Sequence, residues 1–171
     1  MPPLRRWLTV ALAIGGAVAF ALAVQGSSWW TIGDDVGIGT VSSRHCFGEG
    51  GCQTTDLGWT GGSTTWVRAG AATYAAGLVA ALVLVALAGS IAARSSGRLA
   101  ARVAAVATVT AAVVGVAFVV TSPDVPGSSL GRGLPLFGGA VALAIATIVS
   151  ALWPARGAQA PAPGSKTASP S

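Results

Sequence analysis

Cys46 and Cys52 are the two cysteines of the chain, and their chemistry is the most distinctive that the sequence offers. Only a short glycine-rich stretch separates them, and outside the cytoplasm two thiols this close in sequence oxidise readily. We therefore predict a structural disulfide. A redox-active pair is the alternative, but an electron relay through thiols needs a further cysteine pair with which to exchange.

His45, directly before Cys46, raises the question of a metal site. Zinc in proteins has three or four protein ligands, and one histidine with two oxidised cysteines supplies too few. Four acidic residues also lie in this segment, Asp34, Asp35, Glu49 and Asp56. Their spacing does not match a calcium-binding loop, so they indicate a solvated acidic surface. We expect neither a metal site nor a cofactor.

No ionisable residue falls in the middle of any long apolar run. Coupled transporters usually place Asp, Glu, His or Arg there, and an intramembrane enzyme needs a nucleophile with a base or paired carboxylates. Arg102 lies near the end of a run, from which its side chain can reach the lipid headgroups. The sequence therefore predicts no catalytic residues and a protein that is not an enzyme.

The segment 26–68 holds most of the chemical variety of the chain. The residues on either side of the cysteine pair are β-prone and the glycines between them permit a turn, a pattern typical of a β-hairpin, alone or within a small sheet. A disulfide near the turn would fix the register of such a hairpin. The candidates for contact with a partner are the displayed residues Trp29, Trp30, Asp34, Asp35, Arg44, His45, Phe47 and Trp59.

The composition indicates that this segment is carried by a membrane protein. Of the 171 residues, 53% are hydrophobic and 9% are charged, whereas soluble domains have about 25% charged residues. The net charge of +5 does not indicate nucleic-acid binding, because the basic residues are dispersed and flank apolar runs instead of clustering with aromatic side chains. The lipid bilayer is the expected surrounding.

Four apolar runs cover about 7–25, 69–93, 99–121 and 134–153. Each is long enough to cross a hydrocarbon core of about 30 Å as a helix, and only helices satisfy the backbone within one segment in lipid. We predict an all-α membrane protein with a four-helix transmembrane bundle over 1–153 and a small β-hairpin-type loop over 26–68. The tail 154–171 is rich in Pro, Ala, Ser and Gly, which predicts disorder.

Tryptophans fall at the ends of these runs, at positions 7, 29, 30, 66 and 153. An indole is most stable at the lipid–water boundary, so we place all five at that level. A rival interpretation treats 1–25 as a signal peptide cleaved after Ala23, which would leave three helices. Its apolar stretch is long for a signal peptide, and we favour a retained first helix.

Charge predicts the orientation. With the N-terminus in the cytoplasm, seven of the ten basic residues are cytoplasmic: Arg5, Arg6, Arg94, Arg98, Arg102, Arg156 and Lys166. The outer side then holds Arg44, Arg68 and Arg132 and all five acidic residues. This bias follows the positive-inside rule. It predicts a multi-pass protein of the cell (inner) membrane with both termini cytoplasmic and the loop 26–68 extracytoplasmic.

The order of Trp30, Gly37-Ile38, Cys46 and Cys52 resembles the W…GLW…C…C signature of the claudin and peripheral myelin protein superfamily. Arg68 also resembles the arginine often found before the second helix there. The chain departs from the signature at Gly39, which stands in place of the second tryptophan, and the gaps are shorter. The resemblance implies four helices with cytoplasmic termini and a β-type outer loop, and we draw no expectation of tight junctions or ion pores from it.

Together these patterns predict an integral membrane structural or interaction protein. Its disulfide-tied loop would contact a membrane or envelope protein, or a second copy of the chain. The alternative is an envelope thiol-redox or small-solute transport component, which needs cycling cysteines or a polar path through the bundle.

Overall fold

Four long helices form the body of the computed structural model, which describes residues 3–26, 28–46, 48–94 and 97–153. The helices are α1 (Pro3–Gln25), α2 (Thr64–Ala92), α3 (Arg98–Val120) and α4 (Gly133–Leu152). Each is long and apolar enough to cross a membrane, as predicted from the apolar runs. The tail 154–171 lies outside the described residues.

The helices pack with α1 between α2 and α4, and with α3 against α2. Association in lipid depends on close van der Waals packing, and glycine provides it at the crossing of α3 and α4. A Cβ at Gly115 would lie only 2.6 Å from Phe137 Cε1. A polar contact also links α2 to α3, since the Thr73 hydroxyl shares its one hydrogen between the Ala69 carbonyl of its own helix at 2.8 Å and the Val114 carbonyl of α3 at 3.0 Å. Small residues and local polar bonds therefore hold the bundle.

Helix α2 begins five residues earlier than the sequence predicted. With 29 residues it is about 43 Å long at 1.5 Å per residue, more than a hydrocarbon core of about 30 Å requires. Ser63 caps its start by accepting a hydrogen bond from the Trp66 amide at 3.2 Å. The first turns of α2 lie beside the loop, because Gly70 packs against the carbonyl of Thr40.

Five short strands form one antiparallel sheet at the end of the bundle where α1 ends and α2 begins, here called the sheet end. The strands are β1 (Trp30–Ile32), β2 (Val36–Ile38), β3 (Ser43–Cys46), β4 (Cys52–Thr55) and β5 (Ser128–Leu130), in the order β4-β3-β2-β1-β5. The predicted hairpin is present as β3 and β4, but it is only one edge of a larger sheet. The fifth strand comes from the connection between α3 and α4.

The two faces of the sheet differ in chemistry. Directly opposite residues project to the same side, and successive residues of a strand alternate. The register therefore places Trp30, Ile38 and Ser43 on one face, called the apolar face, together with Ile32 and Val36. The other face, called the polar face, carries a row across all five strands: Ser129, Thr31, Gly37, Arg44 and Thr54.

A cluster of aromatic rings joins the apolar face to the helices. The ring of Phe118 lies 5.2 Å from Trp30, 5.4 Å from Trp29 and 5.3 Å from Trp66, measured between centroids. Trp29 also lies 5.1 Å from Phe137, which contacts Phe20 at 5.4 Å. Each helix thus contributes one ring to the aromatic cluster, which comprises Phe20, Trp66, Phe118, Phe137, Trp29 and Trp30.

This cluster corrects the placement of two tryptophans. Trp29 and Trp66 are 0% and 1% exposed, so neither indole faces lipid or water as a side chain at the predicted boundary would. The sheet covers them because it folds back over the helix ends. At the opposite end of the bundle, Trp7 and Trp153 are 56% and 50% exposed, which fits the boundary position predicted for them.

The sheet also terminates α1. The last carbonyls of a helix have no partner within it, and here two side chains from the loop supply the donors. Trp29 Nε1 donates to the Ala23 carbonyl at 2.9 Å, and Thr40 Oγ1 donates to the Val24 carbonyl at 3.1 Å. At the other end of the bundle, Arg5 donates to the Ser150 carbonyl of α4 at 2.8 Å.

Gly70→Ala tests the contact between α2 and the loop. The new methyl group would collide with the backbone carbonyl of Thr40 and with Phe118, so we expect a loss of about 1–3 kcal/mol in unfolding free energy. Thermal unfolding in detergent micelles measures it. Gly89→Ala is the matched control, because nothing lies within 4 Å of its Cβ and alanine favours the helix. Equal stability of the two variants would contradict the packing described.

Candidate functional site

Strands β3 and β4 form the outer border of the sheet, here called the edge ribbon. All four residues of β4 are exposed, and no strand of the described chain pairs with its outer side. Cys46 and Cys52 lie directly opposite each other in the ladder and form the predicted disulfide. The two strands of the ribbon are therefore joined by a covalent bond, and the backbone N–H and C=O groups on the outer side of β4 have no partner strand in the described chain.

Ser43 organises the base of this ribbon. Its Oγ accepts the indole N–H of Trp59 at 2.6 Å and lies 2.9 Å from Thr55 Oγ1. The same hydroxyl lies 3.0 Å from His45 Nε2 and 3.4 Å from the Asp56 carbonyl. Because these partners come from β3, β4 and the turn that follows, one hydroxyl fixes three segments of the loop.

Ser43 and His45 approach each other as a nucleophile and a base do in hydrolases. Ser43 is only 1% exposed, and its hydroxyl is already engaged by an indole, a hydroxyl and a backbone carbonyl. A substrate carbonyl cannot reach an oxygen buried in this way. The pair therefore serves to position the ribbon.

Trp59 is held on the surface of the ribbon by two contacts. Its ring packs edge-to-face on His45, with centroids 4.7 Å apart, and its N–H is bonded to Ser43. The turn that carries it is fixed by Asp56, whose Oδ1 accepts the Gly58 amide at 2.7 Å. Trp59 nevertheless remains 44% exposed. It borders an open depression of about 360 Å³ whose other walls are His45, Gln53, Thr55 and Asp56.

The remaining candidate residues are divided among several places. Arg44 lies on the polar face of the ribbon and is exposed. Asp34 and Asp35 are exposed in the turn between β1 and β2, and the Asp35 carbonyl accepts the Cys46 amide at 2.7 Å. These two acidic residues therefore lie beside the disulfide, at the outer tip of the sheet.

Two candidates do not lie on the displayed surface, and a third is outside the described residues. Trp29 is completely buried in the aromatic cluster, so the prediction that it contacts a partner does not fit its position. Trp30 is half-buried in the same cluster, between Trp66 and Phe118. Phe47 lies outside the described residues.

Ser43, Gln53 and Thr55 are site residues that sequence reasoning missed. Their role in the site depends on contacts across the β3–β4 ladder and with Trp59. Such contacts leave no short sequence motif. Only Ser43 could have been found from the sequence. Residues two apart in a strand lie on the same face, so a strand through Ser43 and His45 would place these two side chains side by side.

The described residues bring together no group of three or more His, Cys, Asp or Glu side chains suited to a metal ion. No protein-family model matches the chain, and no curated protein matches it in sequence. The features of the described sheet that remain accessible are the free edges of β4 and β5, the exposed indole beside β4 and the polar face.

Ser43→Ala tests the role of the buried hydroxyl. Loss of this oxygen leaves the Trp59 N–H without its acceptor and should lower stability by about 1–3 kcal/mol. The ¹⁹F resonance of 5-fluorotryptophan at position 59 should shift and broaden as the ring gains freedom. Ser128→Ala, on the exposed strand β5, is the control. An unchanged Trp59 resonance in Ser43→Ala would show that the indole is held by other contacts.

Proposed function

We propose that the protein is an integral membrane interaction protein that presents the edge ribbon outside the cytoplasm. The ribbon pairs through β4 with a strand of another chain, either a second copy or another membrane or envelope protein. The observation that carries this proposal is the free outer side of β4, with all four of its residues exposed. The opposite edge, β5, is also free and exposed, but only β4 is tied by a disulfide and bordered by the depression beside Trp59.

A free strand edge is a ready template for pairing with another chain. Among the side chains that protect an edge from such pairing are proline, lysine and inward-pointing charges, and the four residues of β4, Cys-Gln-Thr-Thr, include none of these. In β-strand addition the backbone provides affinity and pockets for alternate side chains provide specificity. The depression beside Trp59 supplies one such pocket.

Rigidity favours binding at this edge, because a pre-ordered surface loses less conformational freedom on association. The disulfide closes one end of the ribbon and the Ser43 hydrogen bonds fix the other. Trp59 presents a large indole that its own contacts already orient, and tryptophan is among the residues that dominate binding energy in interfaces.

The proposal also includes the orientation of the protein in the membrane. The distribution of arginines favours cytoplasmic termini, which places the sheet outside, in an environment where disulfides persist. There an antiparallel pairing of β4 with β4 of a second copy forms a closed twofold interface that satisfies both edges at once. Pairing with a different envelope protein uses the same edge.

The thiol-redox and solute-transport alternatives stay predictions without a supporting observation. The disulfide joins two strands of the ladder, where reduction would loosen the edge itself. In the described helices, the buried polar side chains are four threonines, Thr9, Thr73, Thr108 and Thr147. Three of them bond to backbone carbonyls of their own helix.

Photo-crosslinking in intact membranes tests the proposed edge. A benzophenone amino acid at Gln53 of β4 should give a covalent adduct on irradiation, because a paired strand would lie within reach of it. Ser129 of β5, at the opposite edge, is the control position. An adduct near twice the 16.7 kDa of one chain identifies a second copy, and any other mass identifies a different partner.

Both crosslinking variants must first form the disulfide, checked by migration without reductant. Adduct formation several-fold stronger from Gln53 than from Ser129 supports pairing through β4. Equal adducts from both edges, or none from Gln53, contradict the proposal.

A further inference from the structure

A cavity of about 530 Å³ lies between the polar face of the sheet and the ends of α1 and α2. We call it the polar cleft. Its size falls within the range of small-molecule sites. The side chains that matter for its chemistry are Gln25, Ser28, Ser42, Arg44, Thr54 and Tyr74. They come from three parts of the chain, namely α1 with its following residues, strands β2 to β4, and α2.

The lining of the cleft is rich in hydrogen-bonding groups without partners. Among the described residues, the side chains of Ser42, Arg44, Thr54 and Tyr74 make no hydrogen bond or ion pair. Gly37 keeps the wall open, because a Cβ there would collide with Ser28 Oγ. The absence of a side chain at Gly37 therefore leaves Ser28 inside the cleft and leaves space beside Arg44, its neighbour across the ladder.

The charge that lines the cleft is positive. Among the described residues, Arg44 is the only charged one that lines it, and no Asp or Glu of that part of the chain belongs to the lining. A guanidinium presents a planar fork of donors that matches a phosphate, and a charge-assisted hydrogen bond is about twice as strong as a neutral one. The surrounding hydroxyl and amide groups suit a ligand that carries hydroxyl groups of its own.

The depth of the cleft indicates where such a ligand is found. Its floor includes Val24 and Gln25, the last two residues of α1, and its wall includes Tyr74 of α2. The end of a membrane-crossing helix lies at the level of the lipid headgroups. A phosphate group at this depth can be carried by a lipid or by a soluble ester that enters from the water.

We propose that the polar cleft binds a phosphate ester bearing hydroxyl groups, such as the headgroup of phosphatidylglycerol. Arg44 holds the phosphate, and the hydroxyl-bearing lining holds the glycerol. This site differs from the pairing edge although Thr54 of β4 belongs to both, because the cleft uses its side chain on the polar face and the pairing uses backbone groups on the outer edge.

Lipid retention and ligand binding test the two sources of the phosphate. In the first arm, protein in detergent is equilibrated with equimolar phosphatidylglycerol and phosphatidylcholine, and bound lipid is counted by native mass spectrometry. In the second arm, glycerol 3-phosphate is titrated onto protein in phosphatidylcholine nanodiscs, followed by ³¹P NMR. Saturable binding of one equivalent in the first arm assigns the site to a lipid, and in the second arm to a soluble ester.

Arg44→Gln should weaken that binding by about tenfold to a hundredfold, the loss expected for one charge-assisted hydrogen bond. Arg68→Gln is the matched control, since Arg68 is an exposed arginine at the sheet end of α2 that does not line the cleft. Thr54→Val, which keeps the shape and removes a hydroxyl, should weaken binding by several-fold. It guards against a folding defect in the arginine variant.

Three results would overturn the proposal. The first is no saturable binding in either arm. The second is an equal loss in Arg44→Gln and Arg68→Gln, which would mean that the net charge of the surface attracts anions without a site. The third is unchanged affinity in Arg44→Gln while both variants keep the disulfide.

Discussion

The contact of Phe118 with Trp29, Trp30 and Trp66 is the interaction on which the rest of the structure depends. In lipid, apolar helices gain little from burying their side chains against one another, and a small sheet of three- and four-residue strands has little core of its own. The aromatic cluster compensates for both the weak association of the helices and the small core of the sheet. It gives the sheet a buried base, and it ties all four helices together at the sheet end.

The division of the sheet into faces follows from this anchoring. Over β1 and β2 the apolar face is covered by the aromatic cluster, and the turn around Leu57, which is 1% exposed, adds to this cover. Over β3 and β4 the same face opens into the depression beside Trp59. The polar face, this depression and the outer edges of β4 and β5 remain for other molecules. Rigidity reaches the edge of β4 through the Ser43 hydrogen bonds and the disulfide. The protein therefore combines a fixed platform with two accessible features, a strand edge and a polar cleft, for which we propose binding roles.

Sequence reasoning recovered the elements whose signal is local. The four helices follow from length and apolarity, and the disulfide follows from two close cysteines in a β-prone segment. Strand β5 could not be predicted, because Ser128–Leu130 has no β pattern and pairs with Trp30–Ile32 about a hundred residues away. The burial of Trp29 and Trp66 was missed for a related reason, since it requires the sheet to fold back over the bundle. The Ser43 network and the polar cleft depend on register, which composition does not reveal.

Thiol labelling of intact cells tests most directly whether the edge ribbon is a permanent platform outside the cytoplasm. A membrane-impermeant maleimide is applied with and without prior treatment by an impermeant reductant, and mass shifts are measured on Cys46 and Cys52. The account predicts that both cysteines react only after reduction, under all growth conditions. Labelling without reduction, in a fraction that changes with respiration or oxidant, would mean that the pair cycles. Protection after reduction until the cells are lysed would place the sheet on the cytoplasmic side.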